Sequence, residues 1–192
     1  MAMQDENDFD LCRRLKAADR EALGEVYRLH RPHLVRYALS IVKDNDVAHD
    51  LVQDVFMYLW KLRDSLDETR PLRPYLYTMT RNRSMRHLRD ERTHQRKHDQ
   101  IKGDAQARQE HFAWPSLKLD ADSLAEHLQS WLQELPPRQS EALMLSRYQG
   151  LSHREVARVM NVSPRTVNNH LVRALDYLQQ KVRAYEATVS TS

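Results

Sequence analysis

The sequence is poor in glycine and cysteine, with only 3 Gly and 1 Cys among 192 residues. Glycine is the usual residue where backbone must pass close to a phosphate. So few glycines exclude a glycine-rich phosphate-binding loop and a dinucleotide-binding fingerprint. A single cysteine excludes a disulfide framework and a thiolate zinc site, because both need several cysteines. Cys12 is instead typical of a reducing compartment.

Long apolar runs are also missing from the sequence. No stretch approaches the roughly 18 to 20 apolar residues that a membrane-spanning helix needs. Residues 1–10 are acidic and lack both a basic start and an apolar segment, so we expect no signal peptide. We therefore predict a cytoplasmic protein that does not insert directly into a membrane.

Charge is distributed unevenly along the chain, although the net charge is only +3. Residues 1–68 carry a net charge of −4, residues 69–102 carry +7, and residues 103–192 are balanced. An acidic, a basic and a neutral block indicate separate surfaces with separate partners.

Apolar residues recur at helical spacing in most segments, and no segment alternates convincingly as a strand. The clearest helical stripe lies between Val47 and Leu62. Pro71 and Pro74 interrupt this pattern, and Pro74 suits the first turn of a new helix over residues 75–93. We therefore predict an all-α protein.

Two small helical domains are expected, over residues 9–95 and 122–185. Between them, residues 96–121 are polar, lack helical periodicity, and are predicted to form a flexible linker. Phe112 and Trp114 are the apolar exceptions in this linker, and they could dock on another part of the molecule.

The C-terminal segment carries two helix-start signals in succession. Residues 152–155 (SHRE) form a capping box, and Asn161 is a residue that tolerates the left-handed conformation at a helix end. Ser163 then caps a second helix whose first position is Pro164. Two short helices joined by a tight turn predict a helix-turn-helix. The expected inner stripe of the second helix is Val167, Leu171, Leu175 and Leu178.

The outward face of this second helix is polar and has no carboxylate in its first turns. Arginine pairs with guanine edges and asparagine with adenine edges, and both also hold phosphates. The alternative is an ordinary solvent-facing surface, which the two capping signals and the lack of carboxylates make less favourable. The predicted DNA-binding residues are Ser163, Arg165, Thr166, Asn168, Asn169, His170 and Arg173.

The helix predicted over residues 75–93 and the residues after it are rich in arginine. Aromatic side chains beside cations suit unpaired bases, which need a stacking surface and neutralised phosphates. Tyr75 and Tyr77 lie at the start of this helix, and they could equally be core residues. The basic run consists of Arg81, Arg83, Arg86, Arg89, Arg92, Arg96 and Lys97.

The dipeptide His49-Asp50 raises the alternative of a metal-dependent phosphohydrolase of the His-Asp class. Asp50 lies on a polar helix face beside Gln53 and Asp54, and no partner histidine is placed by spacing. We therefore predict no metal, no cofactor and no catalytic residue.

Several motifs together resemble the bacterial sigma-70 family of RNA polymerase sigma factors. Residues 50–60 (DLVQDVFMYLW) resemble the helix of region 2, and residues 75–82 (YLYTMTRN) with Leu88 and Arg89 resemble the promoter-melting helix after it. Leu135-Pro136, residues 150–152 (GLS) and residues 163–168 (SPRTVN) resemble region 4. Two regions joined by a short linker are similar to the extracytoplasmic-function (ECF) subfamily.

The resemblance implies a sigma factor that binds core RNA polymerase and directs initiation at promoter DNA. The helix over residues 50–61 would bind the β′ clamp helices through Asp50, Gln53, Asp54, Met57 and Lys61. The loop over residues 63–73 and the next helix would read and melt the minus-ten element, with Tyr75, Arg81, Asn82, Arg86 and Arg89 at the DNA.

Region 4 would read the minus-thirty-five element through residues 163–173 and also contact the β flap. Residues 168–170 (NNH) stand where many relatives have other residues, so base preference cannot be carried over from the family. An anti-sigma factor is a further expected partner. The main alternative is a two-domain helix-turn-helix regulator that acts without polymerase.

Overall fold

The computed structural model describes residues 2–102, 112–114 and 123–189. These residues form helices and no strand, which confirms the all-α prediction. The chain divides into two compact units, Met1–Arg108 and Gln109–Ser192. Most of the predicted linker over residues 96–121 lies outside the described residues.

Unit 1 is built from four helices around one apolar core. They are α1 (Ala2–Lys16), α2 (Arg20–Val42), α3 (Asn45–Lys61) and α4 (Leu72–Lys102), with a 3₁₀ turn at Arg63–Ser65. Helix α2 packs against the other three helices and is therefore the centre of the unit. The core of unit 1 includes eight residues that are at most 1% exposed: Leu15, Val26, Leu34, Tyr37, Val52, Leu59, Leu76 and Tyr77.

Helix α4 is longer than the sequence predicted. It begins at Leu72, keeps Pro74 within its first turn, and continues to Lys102 rather than ending near Thr93. The start is possible because proline is tolerated in a first helical turn, where its missing N–H is not needed. Residues 94–102 include one arginine, two lysines and two glutamines, which favour helix even without an apolar stripe.

A buried carboxylate from α1 caps the start of α4. The side chain of Asp8 is 7% exposed, and its Oδ2 accepts a hydrogen bond from the backbone N–H of Arg73 at 3.0 Å. Its Oδ1 lies 3.6 Å from Nε2 of His30 on α2, which is also 7% exposed. The first amides of a helix have no partner within the helix, so this carboxylate supplies one from 65 residues away.

The described residues of unit 2 form four α-helices and one π-helical turn. The helices are α5 (Ser123–Glu134), α6 (Pro137–Leu143), α7 (His153–Met160) and α8 (Pro164–Val189), and the π-helical turn Met144–Tyr148 follows α6. Helix α8 packs against α5, α6 and α7. The long helix α8 is therefore the element on which unit 2 is assembled.

The apolar pair in the predicted linker docks on unit 2. Phe112 and Trp114 are each 7% exposed. The backbone N–H of Trp114 donates to Oε1 of Gln133 at 3.2 Å, and Nε2 of Gln133 donates back to the Trp114 carbonyl at 2.8 Å. The indole N–H donates to Oγ of Ser140. These contacts confirm the expectation that the pair docks.

Replacing Asp8 should destabilise unit 1. We expect Asp8→Ala to lower the free energy of unfolding by about 1.5–3 kcal/mol, because the buried Arg73 amide loses a charged acceptor. Asp8→Asn keeps an oxygen acceptor and should cost less. Urea unfolding measures the energy, and hydrogen exchange at the first amides of α4 should accelerate.

The matched control is Asp10→Ala, which removes an exposed carboxylate from the same helix. Equal unfolding energies and equal exchange rates for the two alanine variants would show that Asp8 does not hold α4.

Candidate functional site

The helix-turn-helix in unit 2 is fixed by the predicted caps. Oε2 of Glu155 accepts the backbone N–H of Ser152 at 2.7 Å, and the Ser152 hydroxyl accepts the backbone N–H of Glu155 at 3.4 Å. Asn161 is left-handed, with φ 53°. Oγ of Ser163 accepts the backbone N–H of Thr166 at 3.0 Å. The capping box and the second cap are therefore confirmed.

The inner stripe of α8 differs from the prediction at one position. Val167, Leu171 and Ala174 are at most 2% exposed, whereas Leu175 is 41% exposed. A helix turns 100° per residue, so Ala174 continues the stripe of Val167 and Leu171, while Leu175 falls to its side. The prediction that Leu175 belongs to the inner stripe is wrong, and Leu178 is half-buried.

Most predicted DNA-binding side chains of α8 lie on its outer face. Arg165, Asn168, Asn169 and Arg173 are exposed. Ser163 and Thr166 have a second role, because their hydroxyls lie 2.8 Å apart within the cap. The outer face thus presents amides and guanidiniums close to a helix start that Ser163 caps.

His170 is half-buried on α8. Burial, together with the positive charges of Arg138 and Arg173, lowers the pKa of His170, and Glu141 opposes this shift. The imidazole is therefore neutral at pH 7. A neutral imidazole has one donor and one acceptor nitrogen, so it can form hydrogen bonds but adds no positive charge.

In unit 1, α3 has a polar outer face opposite its apolar inner face. Val52, Val55 and Leu59 are fully buried. The five residues predicted to bind polymerase are all exposed: Asp50, Gln53, Asp54, Met57 and Lys61. We call these five residues the α3 outer face.

The α3 outer face is joined to α4 by one arginine. Nη1 of Arg83 donates to Oδ2 of Asp54 at 3.1 Å, and its guanidinium carbon lies 5.2 Å from the ring centroid of Tyr58. Tyr58 and Tyr75 are 44% and 38% exposed. Partial burial, and to a smaller extent the Tyr58 phenol, raises the pKa of Tyr75.

Tyr58 is not among the predicted site residues, and Arg83 is predicted only as a member of the basic run. Tyr58 follows Asp54 by one helical turn, so the same helix face predicted for polymerase also contains it. Helical spacing from Asp54 could therefore have identified Tyr58 as a site residue, whereas the contact between Arg83 and α3 depends on packing between helices.

On α4, the predicted residues divide between surface and core. Asn82, Arg86 and Arg89 are exposed. Arg81 is a correction to the prediction, because it is 8% exposed. It lies one helical turn after Tyr77, which is 1% exposed and packs edge-on against Tyr37, with 5.4 Å between ring centroids. Arg81 therefore belongs to the packed side of α4 and not to the outer surface.

The ring of His49 is engaged by a neighbouring arginine. Nη2 of Arg31 lies 2.8 Å from Nδ1 of His49, so the guanidinium donates to this nitrogen. Within residues 2–102, 112–114 and 123–189, no group of three or more His, Cys, Asp or Glu could hold a metal ion. No helix in the same residues is long and apolar enough to cross a bilayer.

Two family models match the chain: Sigma-70 region 2 over residues 26–94, and Sigma-70, region 4 over residues 126–178. Together they cover more than half of its length. The chain belongs to the sigma-70 family. Its two matched regions correspond to unit 1 and unit 2, and this confirms the resemblance found in the sequence motifs.

Named relatives specify the ECF subfamily. The ECF RNA polymerase sigma factor SigM of Bacillus subtilis is 27% identical over 157 residues, covering 82% of this chain and 93% of SigM. The RNA polymerase sigma factor CarQ of Myxococcus xanthus is 27% identical over 180 residues, covering 92% of this chain and 98% of CarQ.

A solved structure has the same fold. The sigma factor RpoE of Bartonella quintana, in a co-crystal with the anti-sigma factor NepR, is 25% identical with a TM-score of 0.61. The match covers 83% of this chain and 96% of RpoE. This ECF sigma factor directs transcription initiation and is not an enzyme. A regulator independent of polymerase and a His-Asp hydrolase are therefore both set aside.

Proposed function

We propose that this sigma factor divides its work among three exposed helix faces. The α3 outer face binds core polymerase, α4 reads the unpaired minus-ten strand, and α8 reads the minus-thirty-five duplex. The observation that carries this proposal is the difference in chemistry among the three faces. The first is rich in acids and amide, the second in arginine, and the first turns of the third have amides and cations without a carboxylate.

The proposed partner of the α3 outer face is the pair of β′ clamp helices of core RNA polymerase. The carboxylates of Asp50 and Asp54 would repel the phosphates of DNA but suit a basic protein surface, and the amide of Gln53 can both donate and accept hydrogen bonds. Met57 is 58% exposed and adds an apolar contact at the same face. The acidic chemistry thus supports a protein partner for α3.

The proposed minus-ten surface consists of the exposed α4 residues Tyr75, Asn82, Arg86 and Arg89. A ring that stacks on bases, an amide that can hydrogen-bond to a base edge, and cations that neutralise phosphates together suit a displaced single strand. Arg81 is left out of the direct contacts because it is buried, and we assign it to the support of α4.

The proposed minus-thirty-five surface is the outer face of α8. Arg165, Asn168, Asn169, His170 and Arg173 would contact base edges or phosphates in the major groove. Ser163 and Thr166 would hold the helix start, whose backbone amides can approach a phosphate. Unit 2 would also contact the β flap.

Two further proposals concern partners and location. The co-crystal of RpoE with the anti-sigma factor NepR supports an anti-sigma factor as a partner of this chain too. Because core polymerase and promoter DNA are its working partners, we place the protein in the cytoplasm.

Removing the polar groups of the α3 outer face should weaken core binding. We expect the triple variant Asp50→Ala, Gln53→Ala, Asp54→Ala to fold and to lose about 2–5 kcal/mol of affinity for core polymerase, if these contacts are desolvated in the complex. Fluorescence anisotropy with labelled sigma factor measures the affinity. The control Asp10→Ala, Glu21→Ala removes two exposed carboxylates elsewhere in unit 1. An unchanged affinity of the folded triple variant would contradict the assignment.

Single alanine changes on α8 should alter base preference. Arg165→Ala, Asn168→Ala, Asn169→Ala and Arg173→Ala should each cost about 1–3 kcal/mol at particular minus-thirty-five positions, because a base-edge contact discriminates among bases. Selection of promoter duplexes by holoenzyme, followed by sequencing, measures the preference. Gln179→Ala serves as the control, because Gln179 is exposed on the same helix and lies six residues after Arg173. A loss equal for all sequences would identify a phosphate contact instead.

Asn82→Ala should impair promoter melting. We expect fewer open complexes on duplex promoters, but a much smaller effect on templates whose minus-ten region is already mismatched, since the cost of unpairing is gone. Permanganate footprinting of thymines measures opening, and run-off transcription with core polymerase measures initiation. Equal losses on both templates would mean that Asn82 serves the fold or general affinity.

A further inference from the structure

A tyrosine of the polymerase-binding helix lies beside the proposed minus-ten surface. Tyr58 belongs to α3, yet its ring lies within cation–π distance of Arg83, which belongs to α4. Tyr58 is 44% exposed and Tyr75 on α4 is 38% exposed, while Tyr77 is buried in the core. The exposed Tyr58 ring is therefore placed where α3 and α4 meet.

Arg83 adds a cation beside the Tyr58 ring. Its guanidinium carbon lies 5.2 Å from the Tyr58 ring centroid, within cation–π distance. Asp54 holds the guanidinium through one hydrogen bond of 3.1 Å, and a guanidinium has five N–H donors in all. The Arg83 side chain is 31% exposed. Its position thus supplies a partly exposed cation beside the Tyr58 ring.

The chemistry of this pair of side chains fits unpaired DNA better than a protein helix. Bases stack on tyrosine rings and on guanidinium planes without regard to sequence, and a neighbouring cation neutralises the backbone phosphate. The pair also continues into the basic block over residues 69–102, whose net charge is +7. A strand bound along Asn82 and Arg86 would meet the Tyr58 ring and Arg83 at the α3 edge of the site.

We infer that Tyr58 is a base-stacking residue of the minus-ten site, contributed by α3, and that Asp54 positions Arg83 beside it. This inference rests on the proposed role of α4 in binding the unpaired strand. It extends the DNA surface onto the helix that also binds polymerase. Bases and polymerase would then occupy neighbouring faces of α3.

The test measures binding of single-stranded DNA to holoenzyme. Core polymerase saturated with each sigma variant is titrated into a fluorescein-labelled pool of 12-nucleotide DNAs of random sequence. We expect Tyr58→Ala to bind about 5- to 150-fold more weakly, the range for loss of one stacked base. Tyr58→Phe keeps the ring and should bind within about twofold of wild type. The control Leu29→Ala trims another exposed apolar side chain of unit 1 and should have no effect.

Each contrary outcome overturns the inference in a distinguishable way. If Asn82→Ala weakens DNA binding but Tyr58→Ala does not, the stacking role of Tyr58 is wrong, while the proposed binding of the unpaired strand by α4 is supported. If neither variant weakens binding, both assignments fall. If Tyr58→Ala reduces affinity for core polymerase and not for DNA, Tyr58 belongs to the polymerase interface. If Tyr58→Phe loses as much as Tyr58→Ala, the hydroxyl matters and stacking is wrong.

Discussion

The buried carboxylate of Asp8 is the constraint on which the start of α4 depends. Pro71, immediately before α4, has no side-chain acceptor for the first amides of the helix, and Pro74 has no N–H to donate. The Arg73 amide therefore needs an acceptor from elsewhere, and Asp8 supplies it while lying against His30 of α2. One side chain thus ties α1, α2 and the start of α4 together. Because a helix is rigid, fixing its first turn also fixes where the proposed DNA residues of α4 point.

Rigid placement of α4 has a consequence for its neighbour α3. The proposed polymerase face and the proposed DNA face meet where Asp54 contacts Arg83. An exposed ion pair of this kind contributes only about 0–1 kcal/mol to stability. Its effect is therefore one of position: it keeps a cation over Tyr58 and draws one carboxylate toward α4. The two proposed interfaces therefore share this pair at their common edge.

Features that depend on neighbouring residues could be predicted from the sequence more often than features that depend on contacts between distant residues. The caps at Ser152 and Ser163 depend on residues three apart, so the sequence contains all their partners. The Asp8 contact joins residues 65 apart and has no such signal. The sequence prediction is wrong about the burial of Arg81 and the exposure of Leu175 because it follows residue type. The position of each residue around its helix determines whether its side chain is buried. The length of α4 was missed because its second half is stabilised by propensity and not by an apolar stripe.

The two units would then differ in what they distinguish. The proposed contacts of Asn168, Asn169 and His170 on α8 are hydrogen bonds, whose geometry depends on the base. The proposed contacts of α4 are cations and a tyrosine ring, which suit any unpaired strand because stacking and phosphate neutralisation are nearly independent of sequence. Asn82 is an exposed amide within that cationic surface. Under these assignments unit 2 would select the site by sequence, and unit 1 would select it by how readily the DNA opens, with Asn82 adding base preference at the point of opening.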